Sequence, residues 1–228
     1  MYIYTINDDS TGEEEVGMDK GDGELMAREA LHRVGNELAV AAAALRVARR
    51  RGGDDPAVAA AIERIEAAAQ VNALLSRRAT TDVIDLGAYL TALHLPLSRL
   101  GTAAGVAVHL EAGAIRVFGI DPRHVGMIVY ELVMNAIRHA DRDDEGIRVS
   151  LSHRCGVATI EIGDGGGTGD WTREGGQGGG IVDDLAARLG GTIERWGGEG
   201  CRGSVLVTLP ALRLIPPASD GLRPVRPD

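Results

Sequence analysis

The sequence predicts an α+β fold, in which a helical hairpin precedes an α/β sandwich with one layer of helices on a sheet. Two observations support this prediction. In the first part of the chain, apolar residues recur at alternating steps of three and four, as in a helical bundle. Further along, short runs rich in valine and isoleucine alternate with amphipathic helices and glycine-rich turns. The 228 residues, 44% of them hydrophobic, are enough to bury a core.

The first helix is predicted from about Leu25 and ends in "RRRGGDDP", where Asp55 is an N-cap and Pro56 begins a second helix. The second helix mirrors the first, so residues 25–78 form an antiparallel hairpin. Because two helices bury too little apolar surface, we expect a homodimer through residues 25–78, with a four-helix bundle. The apolar seam of the first helix consists of Leu31, Val34, Leu38, Ala41, Leu45 and Ala48.

The sandwich is predicted over residues 81–212, as helices alternating with mostly antiparallel strands. One helix lies near Leu86 to Leu100, a second starts near Pro122, and a third opens at Gly180 or Ile181. The predicted strands are "VAVHLEA", "IRVFGI", "GIRVSLSH", "VATIEIGD", "TIERW" and "GSVLVTLP". With the hairpin assigned to residues 25–80, the flanks are an acidic mobile leader, 1–24, and a proline-rich disordered tail, 213–228. Within the leader, "MYIYTI" is able to pair as an edge strand.

The charge and the cysteines exclude several classes of function. The net charge is −9, and the leader alone holds eight acidic residues against Lys20, so no basic surface for nucleic acid is expected. Cys155 and Cys201 stand far apart, which supports neither a disulfide framework nor a zinc site. No apolar run approaches a membrane span, and the acidic start is opposite to a signal peptide. We therefore expect a cytoplasmic protein.

Two groups of polar residues on predicted helices are candidates for chemistry. His32 follows the seam residue Leu31, and an exposed histidine is a usable nucleophile near neutral pH; a plain surface histidine is the alternative. In "ELVMNAIRHA", the polar residues fall within an arc of roughly 100° on one helical face. That face suits a bound ion or phosphate, although a solvated surface is the common alternative. Its members are Glu131, Asn135, Arg138 and His139.

A third candidate is the stretch from "IEIGDGGGTGDW" to "GGQGGGIVDDL". A carboxylate at the strand end, Asp164, is able to accept a hydrogen bond from an exocyclic amine such as that of adenine. The glycines Gly176, Gly178 and Gly180 let backbone N–H groups approach phosphate oxygens next to a helix start. Glycine runs also occur in plain loops, so this stretch alone is a weak signal.

Taken in order, HRxxN, E-x-x-x-N-A-x-R-H, D-x-G, G-x-G-x-G-I-V and "LGGTI" resemble a sensor histidine kinase core of the HRxxN class, over roughly residues 25–210. The resemblance implies a dimerisation and phosphotransfer hairpin followed by an ATP-binding domain of the Bergerat type. It also implies ATP and Mg²⁺ as cofactors. The implied partner is the receiver domain of a response regulator, to whose aspartate a phosphoryl group on His32 would pass.

The same resemblance implies roles for the other residues. Asn135 would ligate Mg²⁺, and Glu131 would orient or activate a water or metal ligand. From helical spacing alone, Asn36, one turn after His32, is placed to orient a water for dephosphorylation of the regulator. Arg33 follows His32, where the common kinase pattern has an acid, so the base is unassigned. The remaining implied contacts are phosphate or ribose for Arg138 and His139, the adenine amine for Asp164, a tight turn for Gly166, and the nucleotide lid for Gly176, Gly178 and Gly180.

Two other functions remain open from the sequence. A histidine phosphotransfer protein with a degenerate nucleotide pocket is favoured by Thr168, which replaces a glycine of the family's turn, and by the short span 168–175. Glu131, Asn135 and Asp164 favour a kinase, since a relay has no use for them. An ATPase of the anti-sigma type does not need the hairpin that carries His32.

Overall fold

A computed structural model describes residues 20–52, 55–77, 82–140, 146–164, 177–198, 201–210 and 213–215. In this part of the chain the helices are α1 (Lys20–Gly52), α2 (Pro56–Ser76), α3 (Leu86–Ala104), α4 (Pro122–His139) and α5 (Gln177–Arg188). The strands are β1 (Val83–Asp85), β2 (Val108–Ala112), β3 (Arg116–Phe118), β4 (Ile147–Arg154), β5 (Val157–Asp164), β6 (Thr192–Gly198), β7 (Cys201–Leu209) and β8 (Arg213–Ile215).

The two N-terminal helices pack on each other in antiparallel directions. A Cβ atom at Gly35 would lie 3.6 Å from the Cβ of Asn72. Nearer the connection, Arg46 Nη2 lies 2.5 Å from Glu66 Oε1. The second helix begins as the sequence predicts, because Asp55 is the N-cap of α2 and its Oδ1 accepts a hydrogen bond of 2.8 Å from Ala57 N.

Five strands form the main sheet, in the order β2-β4-β5-β7-β6. The strands β2 and β4 are parallel, and the other neighbours are antiparallel. The side chains alternate along each strand, so one face of β4, β5 and β7 is buried and the other is more exposed. On the buried face lie α3, α4 and α5, whose aliphatic residues share one core cluster with the sheet. Helices followed by a mixed sheet confirm the predicted fold class.

The structure corrects several details of the prediction. The strand β3 does not join the main sheet; it pairs with β1 and β8 in a separate three-stranded sheet, which the sequence pattern did not indicate. Residues 213–215, assigned to the tail, form β8 because they pair with β3. The helix α1 begins at Lys20, within the predicted leader, and α5 begins at Gln177, ahead of Gly180. The possible edge strand "MYIYTI" lies outside the described residues.

In the described ranges, no helix is both long enough and apolar enough to cross a bilayer.

Candidate functional site

The helix α4 is fixed at its first turn by a charged pair. Asp121 is the N-cap, and its Oδ1 accepts a hydrogen bond of 3.0 Å from the backbone N–H of Arg123. The Arg123 side chain turns back and donates from Nε to Oδ2 at 2.8 Å, and its Nη2 contacts the same oxygen. Burial alone would raise the pKa of Asp121, but the hydrogen bonds and the charge of Arg123 hold this pKa below its usual value.

The two faces of α4 differ in polarity, as its sequence predicts. Its apolar residues are buried against the sheet and the neighbouring helices; they include Val125, Ile128, Val129, Leu132, Val133 and Ala136. On the other side, Glu131 and Asn135 are half-buried, while Arg138 and His139 are exposed. Because Glu131 and Asn135 are four residues apart, they lie on the same helical face. The apolar contacts therefore orient a polar surface away from the core.

The amide of Asn135 is already held by a neighbouring cation. Arg138 Nη1 donates a hydrogen bond of 2.8 Å to Asn135 Oδ1. The carbonyl oxygen of an amide and the carboxylate of Glu131 are the hard oxygen donors that Mg²⁺ prefers, so this face fits the implied ion. In the structure, the Asn135 oxygen that would bind the ion accepts the hydrogen bond from Arg138, so the guanidinium must move when the ion binds. The guanidinium is exposed and lies on a flexible side chain, so it is able to move to a phosphate.

Tyr130 lies beside this polar face, and its pKa is affected by the charges of two residues on that face, Glu131 and Arg138. Its pKa is raised, first because burial disfavours the phenolate and second because the Glu131 carboxylate is near; Arg138 acts in the opposite direction. Tyr130 therefore stays neutral at physiological pH. The face thus combines one carboxylate with the guanidinium of Arg138 and the imidazole of His139.

The topology brings three predicted site segments to one end of the main sheet. Asp164, the last residue of β5, pairs with Ile147, the first residue of β4, which follows the C-terminal end of α4. The strand β6, which follows α5, begins at the end of the sheet that lies away from Asp164, because Thr192 pairs with Thr208 near the end of β7. The start of α5 therefore lies at the same end as Asp164 and the last turns of α4.

Several predicted residues are described only in part. Gly166 and Gly176 lie outside the described residues. The backbone of Asp164 is in β5 and that of Gly178 is in the first turn of α5. Gly180 is exposed and helical, and a Cβ there would meet no atom of the described residues within 4 Å. Its position in the helix differs from the predicted lid.

The predicted phosphoacceptor lies on a different helix from the rest of the candidate site. His32 is within α1, with Asn36 exposed one turn later. The helix α1 packs on α2, and α2 packs on α3 and α4. The structure therefore separates His32 from the polar face of α4, although it brings α4, the end of β5 and the start of α5 together.

Sequence reasoning missed a contact between the hairpin and the sandwich. A Cβ at Gly126 of α4 would lie 2.4 Å from Tyr89 Oη of α3 and 2.9 Å from Leu75 Cδ2 of α2. The one available signal was a glycine inside the otherwise apolar segment "VGMIV", which marks a close approach. It does not tell which helix approaches.

A known family matches the N-terminal part of the chain, and its model extends past the predicted end of the hairpin at residue 80. A family model described as histidine kinase matches residues 29–100, which include α2, most of α3 and the part of α1 that carries His32. A comparison with curated protein sequences finds no significant match.

Solved structures resemble the chain over most of its length. The histidine kinase domain of a blue-light activated histidine kinase from Erythrobacter litoralis, EL346, is 24% identical, with 81% of this chain and 94% of that domain covered and a TM-score of 0.51. For the longer structure of that kinase, identity is 23% and the TM-score is 0.50, and the match covers 86% of this chain but 64% of the kinase. A bacterial phosphotransferase has a TM-score of 0.53 at 12% identity, with 81% of this chain and 94% of that chain covered. These likenesses establish the fold.

Proposed function

We propose that the chain has the core of a sensor histidine kinase, that it uses ATP to phosphorylate its own His32, and that it passes the phosphoryl group to an aspartate of a response-regulator receiver domain. The observation that carries the proposal is the polar face of α4. Glu131 and Asn135 lie one turn apart, half-buried and beside Arg138, in a chain whose hairpin matches the histidine kinase model.

Each residue of the candidate site has a task in this proposal. Asp164 accepts from the adenine amine, Gly166 keeps its turn tight, and backbone N–H groups at Gly176, Gly178 and Gly180 approach the phosphates. Asn135 would hold Mg²⁺, which supplies charge neutralisation at the phosphates, and Glu131 would orient or activate a water or metal ligand. Arg138 exchanges its hydrogen bond with Asn135 for one with a phosphate oxygen, because phosphate carries a negative charge and the amide oxygen does not. His139 contacts phosphate or ribose.

The transfer step is a displacement at phosphorus. The lone pair of an imidazole nitrogen of His32 forms a bond to the γ-phosphorus while the bond from phosphorus to the β,γ-bridging oxygen breaks. ADP leaves with that electron pair, and the second ring nitrogen releases its proton to solvent. In the phosphatase role, Asn36 orients a water whose oxygen attacks the phosphorus of the regulator's phosphoaspartate; the bond from phosphorus to the aspartate oxygen breaks, and the products are inorganic phosphate and the free aspartate. The partners in this proposal are a receiver domain and a second copy of the chain.

The test is incubation of the full chain with Mg²⁺ and γ-labelled ATP, followed by assay of acid-labile, base-stable label. Wild type becomes labelled, His32→Ala loses the label because it removes the nucleophile, and Asp164→Asn weakens ATP binding. The matched control is His153→Ala, since His153 is an exposed histidine on β4 and should leave labelling unchanged. Label that survives His32→Ala would reject His32 as the acceptor.

A second assay distinguishes the proposed kinase from the alternative, a histidine phosphotransfer protein. A histidine phosphotransfer protein would bind no ATP and would accept label at His32 from a phosphorylated receiver domain. A kinase binds ATP by calorimetry and becomes labelled without a donor protein. Absence of both ATP binding and self-labelling in the wild type, together with acceptance of label from a phosphorylated receiver domain, would therefore replace the proposed kinase activity with the relay.

A further inference from the structure

The C-terminal end of α2 is packed into the core of the sandwich. Val71 is 2% exposed and Leu75 is 5% exposed, and both belong to the same buried cluster as Leu90 of α3 and Val129 of α4. Other residues of α2 face the hairpin instead, since Ile62 and Ala67 are buried but lie outside that cluster. The hairpin and the sandwich thus share one apolar core through the last turns of α2.

This packing places α2 between the helix of His32 and the polar face of α4. Since Gly35 lies opposite Asn72 in the antiparallel hairpin, the backbone at His32 is about level with Leu75. Leu75 itself contacts α4 at Gly126. Packed helices lie about 8–10 Å apart, so α1 is one further helix away from α4. If His32 is the acceptor, as proposed above, its own chain's pocket reaches it only after α2 leaves this position.

Three residues meet in a close-packed contact, which we call the joint: Leu75, Tyr89 and Gly126. A Cβ at Gly126 would be 2.4 Å from Tyr89 Oη and 2.9 Å from both Tyr89 Cε1 and Leu75 Cδ2. These separations are shorter than real Cβ atoms show, so any larger residue at position 126 would force the ends of the Tyr89 and Leu75 side chains to shift. Glycine in a helix interior is unfavourable relative to alanine, which indicates that the close approach is the reason for its presence.

The joint also contains an unfavourable element. Tyr89 Oη is buried and has no hydrogen-bond partner among the described residues. Burial raises the pKa of Tyr89, and the Asp121 carboxylate adds to this effect while Arg123 opposes it, so the hydroxyl stays neutral. A buried donor without a partner destabilises the arrangement that encloses it. When α2 moves away, the same hydroxyl reaches water and the penalty is lost.

We propose that the joint is a latch, in which Leu75 packed on Gly126 holds the helix of His32 away from the α4 site, and the unpartnered Tyr89 hydroxyl keeps this latch weak enough to open. The packed arrangement is the resting state of the molecule. Opening separates the end of α2 from α3 and α4 and leaves the hairpin itself intact.

The test measures opening directly, by the rate at which a thiol reagent modifies Val71→Cys in the full chain. Peptide mass mapping reads the label at residue 71 alone, so Cys155 and Cys201 remain in place. Adding Tyr89→Phe removes the hydroxyl without removing the ring, and labelling is expected to slow about tenfold because the closed state gains stability. The matched control is Ala67→Cys, which faces the hairpin and should label at the same rate whether or not Tyr89→Phe is also present.

Two further variants weaken the latch. Leu75→Ala removes the packed side chain, and Gly126→Ala inserts a methyl group into the joint, so each should speed labelling of Val71→Cys by roughly tenfold or more. Leu75→Ala serves as the test if Gly126→Ala does not fold. The latch is rejected if Tyr89→Phe leaves the labelling of Val71→Cys unchanged or faster, or if labelling of Ala67→Cys changes in parallel, since the effect would then be global.

Labelling of His32 from ATP gives an independent second readout. With the kinase function correct, Tyr89→Phe lowers the initial rate of self-phosphorylation by the same factor as it slows thiol labelling, while ATP affinity stays the same. If no variant becomes phosphorylated, the proposed kinase function fails, but the thiol rates still decide whether the latch exists.

Discussion

The helices α1 and α4 are both amphipathic, yet they differ in how much of their apolar surface the chain covers. In α4 the apolar side is buried, with Ile128 and Val133 at 0% exposure. In α1, Val34 is 45% exposed and Val40 is 70% exposed. The sandwich therefore completes its core within one chain, whereas the hairpin leaves a surface that another molecule is able to cover.

The exposed side of α1 has two parts with different expectations. Ala41 is exposed but lies three residues after Leu38 and four before Leu45, both half-buried, so it lies on the seam that extends the hairpin interface. Val40 is on the other side of the helix. A four-helix bundle would cover the seam and leave Val40 in water. Substitutions at Ala41 and at Val40 therefore distinguish a specific dimer from nonspecific association through exposed apolar residues.

The largest effect is expected from Ala41→Asp. In a symmetric dimer it buries two carboxylates, at a cost of about 4 kcal/mol or more, so the dissociation constant should rise about a thousandfold. Light scattering on a sizing column should change from the mass of two chains to that of one. Val40→Asp is the control and should remain a dimer. A wild type with the mass of one chain would contradict the four-helix bundle.

The hairpin and the sandwich also differ in how well the sequence predicted them. The helix start at Asp55 and Pro56 was predicted correctly, because a side-chain cap followed by proline is a local signal. The membership of β3 was not, because a run of three residues, Arg116–Phe118, has no feature that selects one sheet over another. Its partner β8 lies about a hundred residues later, and the local propensity of a short strand does not determine which distant strand it pairs with.

For the site, the sequence predicted which residues share the polar face of α4 but not what they contact. The period of 3.6 residues places Glu131 and Asn135 together, and in the structure both are half-buried. The hydrogen bond from Arg138 to Asn135 depends on rotamers, which no spacing rule gives. The joint at Gly126 depends on the arrangement of three helices, and only the coordinates reveal it.

A middle-sized effect is expected at the start of α4, on the sandwich side of the comparison. Asp121→Asn should cost about 1–3 kcal/mol at pH 7, because it removes the charged partner of Arg123, which is 8% exposed. Since the folded-state pKa of Asp121 is lowered, this stability is present above the carboxylate's unfolded pKa of about 4 and is lost as pH falls through the folded value. Urea titrations from about pH 7 to about pH 2.5 measure both the cost and its loss.

The control for this change is Asp85→Asn at the start of α3. Asp85 also caps its helix, with Oδ1 accepting from Ala88 N at 3.0 Å, and asparagine caps a helix about as well as aspartate. The unfolding free energies of wild type and Asp121→Asn should converge at low pH, whereas Asp85→Asn should stay near wild type throughout. A difference between Asp121→Asn and wild type that persists at the lowest pH would assign the effect to packing rather than charge.

The smallest effect is expected inside the hairpin, at the ion pair between Arg46 and Glu66. The pair is close, at 2.5 Å, but the Arg46 side chain is 59% exposed, so solvent screens the attraction. A double-mutant cycle with Arg46→Ala and Glu66→Ala should give a coupling energy below about 1 kcal/mol. A larger value would mean that charge contributes strongly to holding α1 on α2. A small value would mean that the hairpin is stabilised by its buried apolar residues, Ala42, Ile62 and Ala67. In that case the burial of the exposed seam by a second molecule, rather than ion pairing, decides whether the hairpin is stable.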